Sequence, residues 1–205
     1  MDATGTPQER RQLQEALQAE ADQVVEDLGL PALLGRIGQP HRVGSSRLGL
    51  MVWRDIDVTV VCDDLTAASA AVVDAAAHLG ARPDVREVLF RKETGRFNLH
   101  PARYPDGLYL RLDHAAPGRP GWRLDIWFVD EPDRQPDLAH VRSLPARLTP
   151  QARDAILLVK HAWAGRDGYG TTVTSHDVYT AVLDDGVTDV QGFTDWLGAR
   201  AATSR

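Results

Sequence analysis

Only one cysteine, Cys62, occurs in the 205 residues, which excludes an internal disulfide framework and a thiolate zinc cluster. Long apolar runs are also missing. None approaches the roughly 20 residues that cross a bilayer, and Met1-Asp2-Ala3-Thr4 has neither the basic start nor the hydrophobic core of a signal peptide, so the expected address is cytoplasmic. There is no basic excess either: 23 Lys and Arg against 29 Asp and Glu leave a net charge of −6. Phosphate contacts dominate affinity for nucleic acid, so extended nucleic-acid binding is not expected. A local basic patch or an attraction for cationic substrates stays open. Internal repeats and low-complexity segments are absent. What is present, 43% apolar and 25% charged residues, is an ordinary globular composition, long enough for one mixed domain with a small helical appendage.

The chain opens with Thr6-Pro7-Gln8-Glu9, a capping box with proline at the first helical position, and the spacing predicts a surface helix to Leu28 stopped by Gly29. Pro31 to Gly38 adds a helical turn or two, and His41-Arg42-Val43 is a short strand. From Asp55 the pattern alternates, with Ile56, Val58, Val60 and Cys62 on one face and Asp55, Asp57 and Thr59 on the other. Cys62 therefore reads as buried filling rather than a nucleophile. Thr66 is expected to cap an alanine-rich helix through Leu79, ended by Gly80. Strands are predicted at Val85 to Lys92, around Leu108-Leu110-Leu112, and from Trp122 to Phe128. In the last, Leu124, Ile126 and Phe128 share one face and Arg123, Asp125 and Trp127 the other. Thr94 to Gly107 reads as a turn and an irregular connection. A proline- and acid-rich stretch from Asp130 to Arg147, with one short helix near Leu138 to Arg142, is the only candidate boundary. Helices then follow from Thr149-Pro150 to about Ala164, from Ser175 to Gly186, and after a Thr188-x-x-Gln191 capping box, with Ala199 to Arg205 a frayed tail. The expectation is an α/β (α+β) architecture, a mixed sheet flanked by helices over residues 1–130 with a helical part, 131–205, packed on it.

The stretch that carries chemistry runs from Val43-Gly44-Ser45-Ser46-Arg47 to Asp55-Ile56-Asp57-Val58. In an extended strand Asp55 and Asp57 project to one face, which makes a divalent cation site. Gly44 lets the backbone turn sharply and approach a polyanion, with amides and the Ser45 hydroxyl as donors. A Gly-Ser turn, nine residues, and then Asp-hydrophobic-Asp resembles the nucleotidyltransferase superfamily of the DNA polymerase β type. Gly49, four residues after Ser45, further resembles the Gly-Ser-x-x-x-Gly form of minimal and antibiotic nucleotidyltransferases. The resemblance implies a third carboxylate flanked by hydrophobic residues on a later strand. Leu124-Asp125-Ile126 is the match and Asp113, at a strand end, is the rival. It further implies that Asp55, Asp57 and Asp125 ligate Mg²⁺ in a two-metal site, that Gly44, Ser45, Ser46 and Arg47 meet the triphosphate of an NTP such as ATP, and that a nucleoside monophosphate moves to a hydroxyl.

Against this stands the plain reading of each part, since an Asp-x-Asp pair alone is more often a solvated strand end and Gly-Ser-Ser usually only a turn. The conjunction of spacing, strands and a later flanked acid lifts the functional reading above it. Two departures stand out: Leu50-Met51-Val52-Trp53 is unusually apolar, a packed lead-in or else an acceptor pocket or homodimer contact, and Arg54 replaces a small or acidic residue. Lys160, at the border of a helix's buried face, is a further candidate for phosphate. Arg91 and Lys92 are weaker ones, because cations at strand ends are more often merely solvated. Tyr109 and Trp127 are candidates for stacking on a base, with packing the blander role. His161 and His176 lack partners at metal-binding spacing. The loop with Tyr169-Gly170 and Thr171-Thr172 is open between nucleotide and acceptor contact. The first reading is transfer to a small hydroxylated molecule, as the resemblance to aminoglycoside or lincosamide nucleotidyltransferases implies, and net acidity is compatible with a cationic acceptor. The competing readings are nucleotidylation of a protein or RNA, and a non-catalytic nucleotide-binding module.

Overall fold

The structure is a computed structural model that describes residues 5–203. The signal-peptide reading of Met1 to Thr4 and the last two residues of the tail lie outside them. Helix α1, Pro7–Asp27, begins on the predicted box: Thr6 N donates to Glu9 Oε2 (2.7 Å) and Glu9 N to the Thr6 hydroxyl (3.2 Å). After α2 (Leu30–Leu34) come β1 (Gln39–Val43), α3 (Gly44–Leu48), β2 (Asp55–Val61), α4 (Leu65–Gly80), β3 (Val85–Glu93), β4 (Gly107–His114) and β5 (Trp122–Val129). The C-terminal part holds α5 (Pro136–Ser143), α6 (Pro150–Trp163), α7 (Ser175–Leu183) and α8 (Val190–Thr203). Among the described residues no helix is long and apolar enough to cross a membrane.

By its contacts the chain divides into two compact units. One, residues 18–49 and 54–143, contains the five-stranded sheet in the order β1-β2-β5-β4-β3. β2 and β5 run parallel and every other pair is antiparallel. Pro40 is accommodated because β1 is an edge. Ile56, Val58 and Val60, Leu108, Leu110 and Leu112, and Leu124, Ile126 and Phe128 are buried on the core face, with Val72, Ala75 and Leu79 of α4. Each of these side chains larger than alanine contributes roughly 1.5–3 kcal/mol by leaving water. The opposite face is polar and carries the acids.

The second unit, which among the described residues takes in 5–17, 50–53 and 144–203, is helical. Its core includes Leu17, Leu50, Met51, Ile156, Leu157, Val159, Val178 and Phe193. α5 packs on β1 and α3 and belongs to the sheet unit, which runs to Ser143.

Several helix ends differ from expectation for local reasons. Asp64, not Thr66, caps α4, its Oδ1 accepting from Ala67 N at 2.6 Å, which lets the buried Leu65 enter the helix. Asp189, not Thr188, serves α8 by accepting from Gly192 N (2.8 Å). Ala199 to Thr203 continues α8 instead of fraying, its alanines being strong helix formers. Gly44 begins a short helix rather than an open turn.

Candidate active site

Asp55 opens β2 and Asp57 follows on the same face. The parallel register sets Asp57 opposite Asp125 and Asp55 opposite Arg123. The result is a cluster in which Asp55, Asp57 and Asp125 each offer a carboxylate oxygen, all within 4.8 Å of one another, and all three residues are half-buried. Like charges this close stay ionised together when a cation lies between them, and an oxygen-only donor set suits Mg²⁺. Asp113, the rival third acid, is outside the cluster and pairs with Arg123 at 3.5 Å.

The turn before β2 fits the same cluster. Gly44 has φ 62°, and a β-carbon there would lie 2.0 Å from Asp57 Oδ2 and 2.8 Å from its Cγ. Only glycine leaves room for that carboxylate. Gly49, at φ 67°, closes α3 by donating its N–H to the Ser45 carbonyl. Ser45 and Ser46 are buried and Arg47 is exposed. The Ser46 hydroxyl donates to the Val43 carbonyl (3.3 Å) and accepts from Arg42 Nε (3.1 Å), so it braces the turn.

One neighbour of the cluster was missed in the sequence. The Tyr109 hydroxyl, on β4, donates to Asp125 Oδ1. Burial first, and then that carboxylate, push the phenol well above its ordinary range. The Tyr109 ring tilts against Trp127 (4.8 Å between centroids) and carries the Arg91 guanidinium at 4.5 Å. Nothing in the spacing of residues 109 and 125 announces the contact, because it depends on how β4 and β5 are registered.

The remaining candidates are placed as follows. Arg91 and Lys92 lie on β3, at the opposite edge of the sheet from the strand that leads into Gly44. Arg54 is explained by Glu20, which it grips with two hydrogen bonds of 2.8 and 3.1 Å. Cys62 is buried and free, and burial pushes its thiol up to about 11, which makes it unreactive filling.

In the helical unit Lys160 has no exposed surface. Its ammonium donates to the Leu50 carbonyl at 2.7 Å and lies 5.6 Å from the ring centres of Trp53 and Tyr179. The apolar spacer is thus packed: Leu50 and Met51 are fully buried, and Trp53 meets Tyr169 edge-on at 5.1 Å. Gly168 accepts from the amides of Thr171 and Thr172, so their loop is folded on itself. His161 is half-buried and His176 exposed.

A mixed sheet in this order, with two acids on one strand and a third in register on its parallel neighbour, has the fold of solved nucleotidyltransferase structures. Solved structures carry the likeness to particular enzymes. Cid1 poly(U) polymerase with MgATP bound matches with a TM-score of 0.61 and 20% identity over 82% of this chain and 50% of that one. The same polymerase in complex with its short product ApU matches with a TM-score of 0.60 and 17% identity, over 89% and 53%. A cytoplasmic RNA terminal U-transferase matches with a TM-score of 0.55 and 18% identity, over 86% and 54%. The chain therefore spans about half the length of the structures it matches. No protein-family model matches the sequence, and no curated protein does.

These neighbours overturn two expectations, the small-molecule acceptor and the exclusion of extended nucleic-acid binding, since they are RNA terminal uridylyl transferases. The exclusion rested on a net charge of −6. A sum over the whole surface says nothing of where the cations are, and Arg91, Lys92, Arg96 and Arg103 fall close together in the chain.

Proposed function

We propose that this chain is a Mg²⁺-dependent nucleotidyltransferase that adds a nucleoside monophosphate from an NTP to the terminal hydroxyl of an RNA. The observation that carries this is the carboxylate cluster, with Asp55, Asp57 and Asp125 within 4.8 Å of one another beside a glycine turn shaped around Asp57. The three carboxylates would hold the metal. Bound there, Mg²⁺ supplies positive charge against the negative charge that develops on the α-phosphate and the leaving pyrophosphate. The amides at Gly44, with Ser45 and Arg47, would face the terminal phosphates. Asp125 accepts the proton of the RNA hydroxyl. The hydroxyl oxygen bonds to the α-phosphorus as the bond from that phosphorus to the α,β-bridging oxygen breaks, and pyrophosphate leaves with the electron pair. Catalysis in such a site is mostly positioning and charge neutralisation. The acceptor class is supported by the neighbours, described as acting on RNA ends, and MgATP and MgGTP complexes of those neighbours support the donor and metal.

The test is to incubate the protein with each labelled NTP, Mg²⁺ and an RNA oligonucleotide, alongside Asp57→Asn and Asp125→Asn. The intact protein should lengthen the RNA, and either variant should lower the rate by about a thousandfold. Failure of the intact protein to label RNA with any NTP, or variants that remain active, would overturn the reading. Label found on protein instead would move the acceptor class.

A further inference from the structure

The connection between β3 and β4 is not needed by the chemistry above, yet it exposes apolar and basic side chains together. The two most exposed large apolar side chains among the described residues, Phe97 at 52% and Leu99 at 77%, both lie in it. Single exposed apolar residues are ordinary, but this backbone is firmly held. Asn98 Nδ2 donates to the carbonyls of Tyr104 (3.3 Å) and Pro105 (3.2 Å) and to Asp106 Oδ1 (3.0 Å), and Asn98 Oδ1 accepts from His100 N (3.0 Å). Gly95 N donates to Asp106 Oδ2 (2.7 Å) and Arg134 Nη2 to the Pro101 carbonyl (2.6 Å). The polar groups fix the loop while its apolar side chains stay in water.

Cations accompany them. The Arg96 guanidinium lies 4.7 Å from the centre of the Phe97 ring, and that of Arg103 lies 5.1 Å from Tyr104. Paired rings and guanidinium planes offer flat, positively charged faces, the chemistry on which unpaired bases stack without regard to sequence. The loop is also joined to the candidate site. Asp125 accepts from Tyr109, Arg91 lies over Tyr109, and two residues beyond Arg91 the strand ends at Glu93, to which Arg91 pairs at 3.3 Å, and the loop begins. The groove on the α4 side of the loop is lined by Asp74, Asp106, Asp130 and Glu131 against Lys92 and Arg134, an excess of acid that disfavours a polyanion there.

We infer that the connection 94–106 is a docking surface for the single-stranded RNA that precedes the hydroxyl being extended, with Phe97, Arg96 and Arg103 as its contacts. This rests on the RNA acceptor proposed above, and the experiment separates the two. Binding and extension of a 15-nucleotide RNA and of a trinucleotide are compared for the full chain, Phe97→Ala and Arg96→Ala/Arg103→Ala. Phe97→Ala should weaken binding of the longer RNA roughly tenfold. The double arginine variant should lower the slope of log affinity against log salt by about 1.4, or 0.7 for each lost phosphate contact. Extension of the trinucleotide, and kcat on both lengths, should be unchanged. If the intact protein extends neither RNA, the acceptor reading falls and this surface with it. Transfer to the longer RNA that is equal in all three proteins overturns the surface alone. So does an equal loss on both lengths, or a change only in self-association. Phe97 is half exposed, so its loss does not threaten folding, and the arginine variant reads the same surface independently.

Discussion

At the scale of single residues, Gly44 and Asp57 form one object. The carboxylate occupies the place a side chain at residue 44 would need, and the backbone there has a positive φ. Gly44→Ala should therefore cost about 1–2 kcal/mol from the left-handed backbone alone. It should also weaken Mg²⁺ binding, because Asp57 must move. Urea unfolding and a Mg²⁺ titration of the same variant check both parts, and a loss of stability with unchanged metal affinity would show that the carboxylate has freedom elsewhere. The motif made both residues legible in the sequence, and flanking hydrophobics ranked Asp125 above Asp113. Their contacts were not legible. The Tyr109 to Asp125 bond needs the register of β4 on β5, and the Arg54 to Glu20 pair needs the packing of α1.

At the scale of elements, periodicity and caps placed the strands and most helices, and two of the misses share a cause. At Asp64 and Asp189 an acid one or two residues from a threonine took the cap, a competition between neighbours that pattern alone does not decide. Helix α6 shows what burial adds. Lys160 reads as a lysine at the border of a face and is fully enclosed, its ammonium on the Leu50 carbonyl. The next residue, His161, has a buried Nε2 without a hydrogen-bond partner among the described residues. Burial, and then the charges of Arg10 and Lys160, hold its imidazole below the ordinary value of 6.5. The folded chain thus resists a proton that the unfolded chain takes. The stability tied to neutral His161 is complete above pH 6.5 and is lost as pH falls through the lower folded value. Unfolding free energy should decline below pH 6.5, and His161→Leu should flatten that decline. An identical pH slope in the variant would assign it to other groups.

At the scale of the whole molecule, the chain has two units and about half the length of the structures it matches. Composition misjudged nucleic acid, because net charge averages over a surface on which position matters. A metal that binds only the folded chain raises its stability by mass action. Mg²⁺ at millimolar concentration should raise the Tm of the intact protein and leave that of Asp57→Asn unmoved. Equal shifts would place the metal elsewhere. The parallel pairing of β2 with β5 carries one more consequence. Asp57 and Asp125 become neighbours only through that pairing, and α4, β3 and β4 all lie between them in the chain. Parallel contacts between distant segments form slowly, since the loop must close before they repay it. The carboxylate cluster is thus expected to complete late in folding. A ribosome that has released Asp57 but not yet β5 holds a chain with two of the three clustered carboxylates, and the cluster is whole only when the sheet is complete.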